Sequence, residues 1–416
     1  MQYLDPAKFK AMKYYFIFFL LLFPIIVLAQ YKNDNVKFKT VYMEDICETL
    51  KNNPDYVLLD VRSKGEFADT SSSNYLNIGH LKNAINISVD ELPNRLAEIK
   101  QLSNKLVFVY CSHSQRSRRA SAMLADSGFT NVMNLNGGLT FFNQYKESHL
   151  PCADMYYETA NLYKLIAAPE LLTILKNRED LFLIDVRTDS VFKGISNNEA
   201  MNASGKITGA VNIPLNDFAS RLSEIPKNKY IIITDDAGNE SPKAAKILID
   251  KGYNNISLAF NGMSLWNSTS QAEMTGKEQF WSNGFSYKMI TADEFNSLAL
   301  QPGAVIVDVR TEEEFNNKAK DGWRNRGNIK GAISIPFVSF AERMKELDGH
   351  KNKPVFLYHF SNQPEVFKAA KMLTENGFLK VNVLMGGIWN LNWRAANIKN
   401  KKELNKWVEN IPEENF

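Results

Sequence analysis

Cysteine and histidine are scarce: three cysteines and five histidines stand in 416 residues. Three thiols cannot build a disulfide scaffold, and the number is odd. No close His/Cys cluster exists, which leaves little for a structural zinc site, so no metal is expected. Net charge is scarce as well. Forty-nine Lys and Arg face 46 Asp and Glu, a balance of +3. Broad electrostatic binding to nucleic acid needs a dense basic face, so this balance argues against such a partner. The 44% hydrophobic and 23% charged fractions are those of an ordinary globular chain, which argues against long disorder. At about 150 residues per domain, the length suggests two or three domains.

Long apolar runs are also few. One uncharged stretch spans 14–31, with YYFIFFLLLFPIIVLA at its core. Lys8, Lys10 and Lys13 precede it, and Val27 and Ala29 take the small-residue places of a cleavage site. This is the build of a secretory leader over 1–29. The alternative is an uncleaved membrane anchor, because 18 uncharged residues border on a spanning length. Cleavage would leave 46 basic and 45 acidic side chains on 387 residues. The mature chain is then expected to be exported, to a bacterial periplasm or beyond, with no membrane contact after cleavage.

What the chain has in abundance is self-similarity. LLDVR (58–62) returns in LFLIDVR (181–187) and IVDVR (306–310). GHLKNAINI (79–87) returns as GKITGAVNIP (205–214) and GNIKGAISIP (327–336). VFVYC (107–111) returns as IIITD (231–235) and VFLYH (355–359). NGG (136–138), NG (261–262) and MGG (385–387) follow in the same order. A period of about 124 residues is too long for a solenoid, so each repeat is a domain with its own core. The expected bounds are 36–150, 158–283 and 286–416, with linkers near 144–160 and 267–285.

Within a repeat, YVLLDV, LVFVYC and NVMNL read as short buried strands, parallel by their continuous apolar character. SRRASAMLADSG (117–128) reads as a helix ended by Gly128, and Gly252 and Gly377 end its counterparts. VDELPNRLAEI (89–99) and DFASRLSEI (217–225) read as amphipathic helices. Alternation of strand and helix predicts an α/β fold, a mostly parallel sheet with helices on both faces.

The DVR strand end, the GHLKNAINI segment, the strand running into CSHSQRS (111–117) and the GG turn together resemble the rhodanese family. The resemblance covers all three repeats. It implies three tandem rhodanese-like domains, and a sulfurtransferase that passes through a cysteine persulfide without a cofactor.

The residues point to the same place by themselves. Cys111 closes a buried strand, and the next helix begins about Ser117. Loop amides and the positive helix end therefore converge on one spot. Ligands of doubly wound sheets sit beyond the carboxyl ends of strands. Arg116 lies in the loop, and Arg118 and Arg119 follow it. Such surroundings favour thiolate and draw a thiol pKa from about 8.5 toward about 7. Cys111 is thus the candidate nucleophile. Ser112, His113, Ser114, Gln115, Arg116 and Ser117 form the candidate cradle for a small anionic sulfur donor such as thiosulfate, with cyanide or a thiol as acceptor. Related phosphatases carry one more residue between Cys and Arg, and the four-residue spacing here suits sulfur better than a phosphoryl group. Ser114 is a departure, since many active family members carry glycine there and serine is strained at φ > 0. His113 is either a proton shuttle or, more simply, a solvated loop residue.

Asp60 and Arg62 recur in every repeat, so they read as supports of the site rather than reactants. His80 shares its place with Lys206 and Asn328, so the fold does not require it. The second repeat aligns Asp235 with Cys111 and Glu240 with Arg116, in the loop DDAGNE. The third aligns His359 and Pro364, in HFSNQPE. Neither is expected to transfer sulfur. A metal at Asp235, Asp236 and Glu240 is the alternative to a plain acidic loop. These two repeats pack, shape the entrance to Cys111, or dock a protein partner. A binding or scaffold protein built from them is the alternative to an enzyme. Cys47 sits in the first helical segment of the first repeat, MEDICETLK, and Cys152 follows its last helix; the two are candidates for a disulfide that leaves Cys111 free. A resolving role for Cys152, or two inert thiols, are the alternatives.

Overall fold

The computed structural model describes residues 37–147 and 149–412. The expected leader, its cleavage site and the alternative anchor lie outside the described residues. No described helix is long and apolar enough to cross a membrane.

Each repeat contains one five-stranded sheet, and every pair within the three sheets is parallel. In the first domain the strand order is Lys39–Tyr42, Asn131–Asn136, Leu106–Tyr110, Tyr56–Asp60, Ile85–Asn86. The second and third domains repeat that order. The central strands carry LVFVY and YVLLD, buried except at their half-buried first residues, as strands covered by helices on both faces must be. The Cys111 strand lies in the middle of its sheet, between Asn131–Asn136, the strand that runs into the GG turn, and the DVR strand Tyr56–Asp60. Its carboxyl end is therefore held from both sides.

The DVR ends explain their own recurrence. The Arg62 guanidinium binds both oxygens of Asp60 and the carbonyl of Gly79 at 2.7 Å. Arg187 repeats this with Asp185 and Gly205, and Arg310 with Asp308 and Gly327. Each pair is buried and hydrogen-bonded, the condition under which an interior ion pair is tolerable. It fastens the strand end to the segment that starts at the recurring glycine.

Two local readings need correction, and one strand is added to them. KTVY at Lys39–Tyr42 is a strand, added at the sheet edge beside Asn131–Asn136. The 217–225 helix is absent; two 3-10 segments, Leu215–Ser220 and Leu222–Glu224, stand there. The expected linkers are structured. Tyr157–Glu158 pairs antiparallel with His80–Leu81, and Trp281–Ser282 with Lys206–Ile207. Val408–Glu409 does the same with Asn328–Ile329 in the third domain. Two-residue strands carry too few side chains to show a period in sequence.

The first two domains share one apolar core, in which Phe142 of the first lies with Leu165 and Trp266 of the second. Ile398 from the third domain joins it. Cys47 and Cys152 form a disulfide with Cα atoms 5.6 Å apart, closing 105 residues of chain. Cys111 is the free thiol.

Candidate functional site

Strand Leu106–Tyr110 delivers Cys111, and helix Gln115–Asp126 starts two residues earlier than the sequence suggests. The turn between them is made at Ser114, which is left-handed with φ +81° and ψ −25°. A non-glycine residue there incurs about 1 kcal/mol or more. The serine hydroxyl offsets this, donating to Asn136 Oδ1 at 2.9 Å and accepting from the Gly137 amide. That double contact is what a glycine could not make, and it accounts for the departure from the family pattern.

The loop also closes from the other side. Leu139 and Thr140 amides donate to the carbonyls of Cys111 and Ser112. A Cβ on Gly138 would stand 2.1 Å from the Cys111 carbonyl oxygen, and Gly262 and Gly387 make the same approach to Asp235 and His359. The second glycine of the GG turn is therefore a steric requirement in all three domains.

The Cys111 sulfur lies 3.6 Å from Ser117 Oγ, which donates to Asn134 Oδ1 at 2.6 Å. Cys111 is only 1% exposed, more buried than a nucleophile usually is. His113 and Gln115 stand at the surface and Arg116 is half-buried.

Arg116 is not the free cation that the spacing suggests. Its two terminal nitrogens bind the Glu66 carboxylate at 2.6 and 2.7 Å, and one also reaches Ser112 Oγ at 3.0 Å. The Glu66 side chain is 4% exposed and that of Arg116 is 32% exposed. Burial by itself would raise the Glu66 pKa; the Arg116 bonds and the Ser63 amide overcome it and hold the carboxyl below its usual range. The same Glu66 completes a capping box with Ser63. His113 Nε2 lies 3.1 Å from Thr140 Oγ1. Surrounding protein atoms, then the Arg116 guanidinium, push the His113 pKa down, although one edge of the ring meets solvent. Asp60 and Arg62 sit behind the loop, fully buried in their own pair.

The second domain displays what this loop does to an anion. Asp235, at the place of Cys111, accepts three hydrogen bonds from its own loop: Gly238, Glu240 and Ser241 amides at 2.6, 2.7 and 2.8 Å. Their counterparts in the first domain are Ser114, Arg116 and Ser117. Gly238 has φ +85°, nearly that of Ser114, so the two loops share their turn. The cradle that a carboxylate fills in one domain encloses a thiol in the other. Both Asp235 oxygens are engaged with amides, and no metal-holding cluster of three stands among the described residues. The third domain departs further. Asn362, at the place of Ser114, is not left-handed, and Pro364 opens the helix without an N–H.

Four residues beside the loop escaped the sequence reading as site residues: Glu66, Asn134, Asn136 and Asn397. Arg118 donates to Asn136 Oδ1 at 3.0 Å and to Asn397 Oδ1 at 2.8 Å. Only Glu66 left a signal, the S-x-x-E spacing of a capping box, which by itself says nothing of Arg116.

Fold and site together define a class: tandem parallel α/β domains, one of which carries a free thiol in an anion-cradling loop at a strand's carboxyl end. The chain belongs to the rhodanese family, since the Rhodanese-like domain matches residues 44–153, 167–269 and 291–392. It is similar to the tRNA uridine(34) hydroxylase of Cytophaga hutchinsonii, 33% identical over 95 residues, covering 22% of this chain and 28% of the relative. The corresponding protein of Enterobacter sp. strain 638 is 28% identical over 131 residues, covering 28% and 35%. The matched part of this chain thus spans about a third of those relatives. Among solved structures, a thiosulfate sulfurtransferase from Pseudomonas aeruginosa is 18% identical, with 84% of this chain and 66% of that one covered, at a TM-score of 0.22. An anaerobic ergothioneine biosynthesis enzyme from Chlorobium limicola is 13% identical, covering 90% and 100%, at a TM-score of 0.27.

Proposed function

We propose that the chain is an exported sulfurtransferase in which the first domain works and the other two support it. The observation that carries the reading is a free thiol in a loop whose twin in the second domain wraps a carboxylate with three amides. Such a loop favours negative charge at the position of the Cys111 sulfur, so it stabilises both a thiolate and a persulfide anion. The thiolate attacks the outer sulfur of thiosulfate or a similar donor. The donor's S–S bond breaks, and its electron pair leaves with sulfite. A cyanide or thiol acceptor then attacks the terminal sulfur of the Cys111 persulfide, and the electron pair of that S–S bond returns to Cys111. Loop amides hold the charge at each stage. No metal or redox cofactor enters the scheme.

Export is supported by the leader-like run and by the Cys47–Cys152 disulfide, a bond that persists in oxidising compartments. A protein partner on the second or third domain is a further part of the reading, supported by two loops that lack the nucleophile. The test is a thiosulfate:cyanide assay on the purified mature chain, read as thiocyanate. Turnover that vanishes in Cys111→Ala is expected. Equal rates in the variant and the parent would overturn the reading, and a persulfide formed without turnover would turn it toward a carrier or scaffold.

A further inference from the structure

The third domain reaches the cysteine loop directly. The last helix of its sheet unit, Gly387–Asn397, ends against the first domain. Trp393 packs edge-to-face on Phe141 at 5.5 Å, Ile398 enters the shared core, and Lys399 pairs with Asp45 at 2.6 Å. Between these contacts, Asn397 makes two polar ones. Its side-chain oxygen accepts from Arg118 at 2.8 Å, and its carbonyl accepts from Asn136 Nδ2 at 2.5 Å. Asn136 is buried, and its own carbonyl oxygen takes the hydroxyl proton of Ser114 and a proton of Arg118. A chain of four side chains thus runs from the third domain to the one strained residue of the Cys111 loop.

We propose that the third domain is a positioning element of the sulfur-transfer site, acting through Asn397, Arg118 and Asn136 on the left-handed turn at Ser114. The amide of Asn136 has a fixed orientation because its two ends are claimed by opposite partners: Nδ2 by Asn397, Oδ1 by Ser114 and Arg118. Losing the Asn397 side chain frees Arg118, whose proton helps to hold Asn136 Oδ1 in place; the Asn397 backbone carbonyl stays on Nδ2, but the acceptor that offsets the strain at Ser114 is held less firmly. The loop opens more often, which exposes the thiol and blunts the cradle. Arg118 adds a reason for the arrangement. It has no carboxylate within ion-pair range among the described residues, so neutral amides from both domains are what orient it. Arg116, in contrast, is fixed from within the first domain by Glu66.

This inference rests on the sulfurtransferase reading for its consequence, but its test does not. In the full chain the disulfide leaves Cys111 as the one thiol, so alkylation by iodoacetamide reports its loop. Asn397→Ala should alkylate about tenfold faster than the parent, the worth of one hydrogen bond to a charged donor. Asn397→Asp keeps the acceptor for Arg118 and should return the rate to within about twofold. Lys399→Ala breaks the same domain contact away from the loop and should leave the rate unchanged. Where thiocyanate turnover is measurable, Asn397→Ala should lower kcat with little change in KM. A parental alkylation rate in Asn397→Ala, no return in Asn397→Asp, or an equal acceleration in Lys399→Ala would each overturn the proposal. A parent without sulfur transfer would sink the sulfurtransferase reading and leave the alkylation result to decide this one.

Discussion

Replacing Arg116 by alanine strands a buried carboxylate. Glu66 is 4% exposed and keeps only the Ser63 amide and cap once both guanidinium bonds are gone. Removing one partner of a buried ion pair costs about 3–5 kcal/mol. Arg116 is itself a third exposed, so the lower end, about 3 kcal/mol, is expected. Adding Glu66→Gln removes the stranded charge and should bring the loss back to about 1 kcal/mol. The sign with pH follows from the depressed Glu66 pKa. Its stabilisation is full above the unfolded carboxylate value of 4.5 and is lost as pH falls through the lower folded value. The gap between the parent and Arg116→Ala should therefore narrow in acid. Urea unfolding of the first transition, at pH 7 and near pH 4, measures all three quantities. A loss under 1 kcal/mol, no recovery in the double variant, or a gap that ignores pH would refute the reasoning. Sulfur transfer should stay impaired in the double variant, because charge repair does not restore the cradle.

Other outcomes follow from single contacts. Ser114→Ala keeps the backbone strain and loses both hydroxyl bonds, whereas Ser114→Gly loses the bonds and the strain; thermal unfolding should rank alanine below glycine by about 1 kcal/mol. Alanine equal to glycine would contradict the account of Ser114. Asp235→Ala leaves three loop amides without their acceptor and should destabilise the second domain by about 2–3 kcal/mol in urea, with sulfur transfer at Cys111 retained. A neutral effect would mean the carboxylate does not fill that cradle. Opening the Cys47–Cys152 bond by Cys47→Ser with Cys152→Ser frees a 105-residue loop, and chain entropy puts the loss at about 4.7 kcal/mol. A urea midpoint unmoved by the double substitution would contradict a stapling role.

Much of the fold is legible in the residues because its signals are local and repeated. LLDVR and its copies mark both the buried strand and the ion pair that ends it, and a single-residue glycine marks the partner carbonyl. Cys111 is legible for the same reason: a strand, a short loop and a helix are contiguous. What surrounds Cys111 is not. Glu66 lies fifty positions from Arg116 and looks like an ordinary cap. Asn397 is 279 positions from Arg118, and nothing periodic links them. The two-residue ribbons escape because such strands are fixed by pairing across the domain rather than by their own pattern. Nor does the sequence of DDAGNE tell that its first aspartate turns inward, where the amides that would have met an anion hold it.

The central claim is that Cys111 carries sulfur. Mass spectrometry of the chain after thiosulfate, with peptide mapping, tests it most directly. One added sulfur, about +32 Da, is expected on the peptide bearing Cys111 and nowhere in the second or third domain, and cyanide should remove it. An unmodified Cys111 with every sulfane donor tried, or an adduct that persists elsewhere in Cys111→Ala, would contradict it.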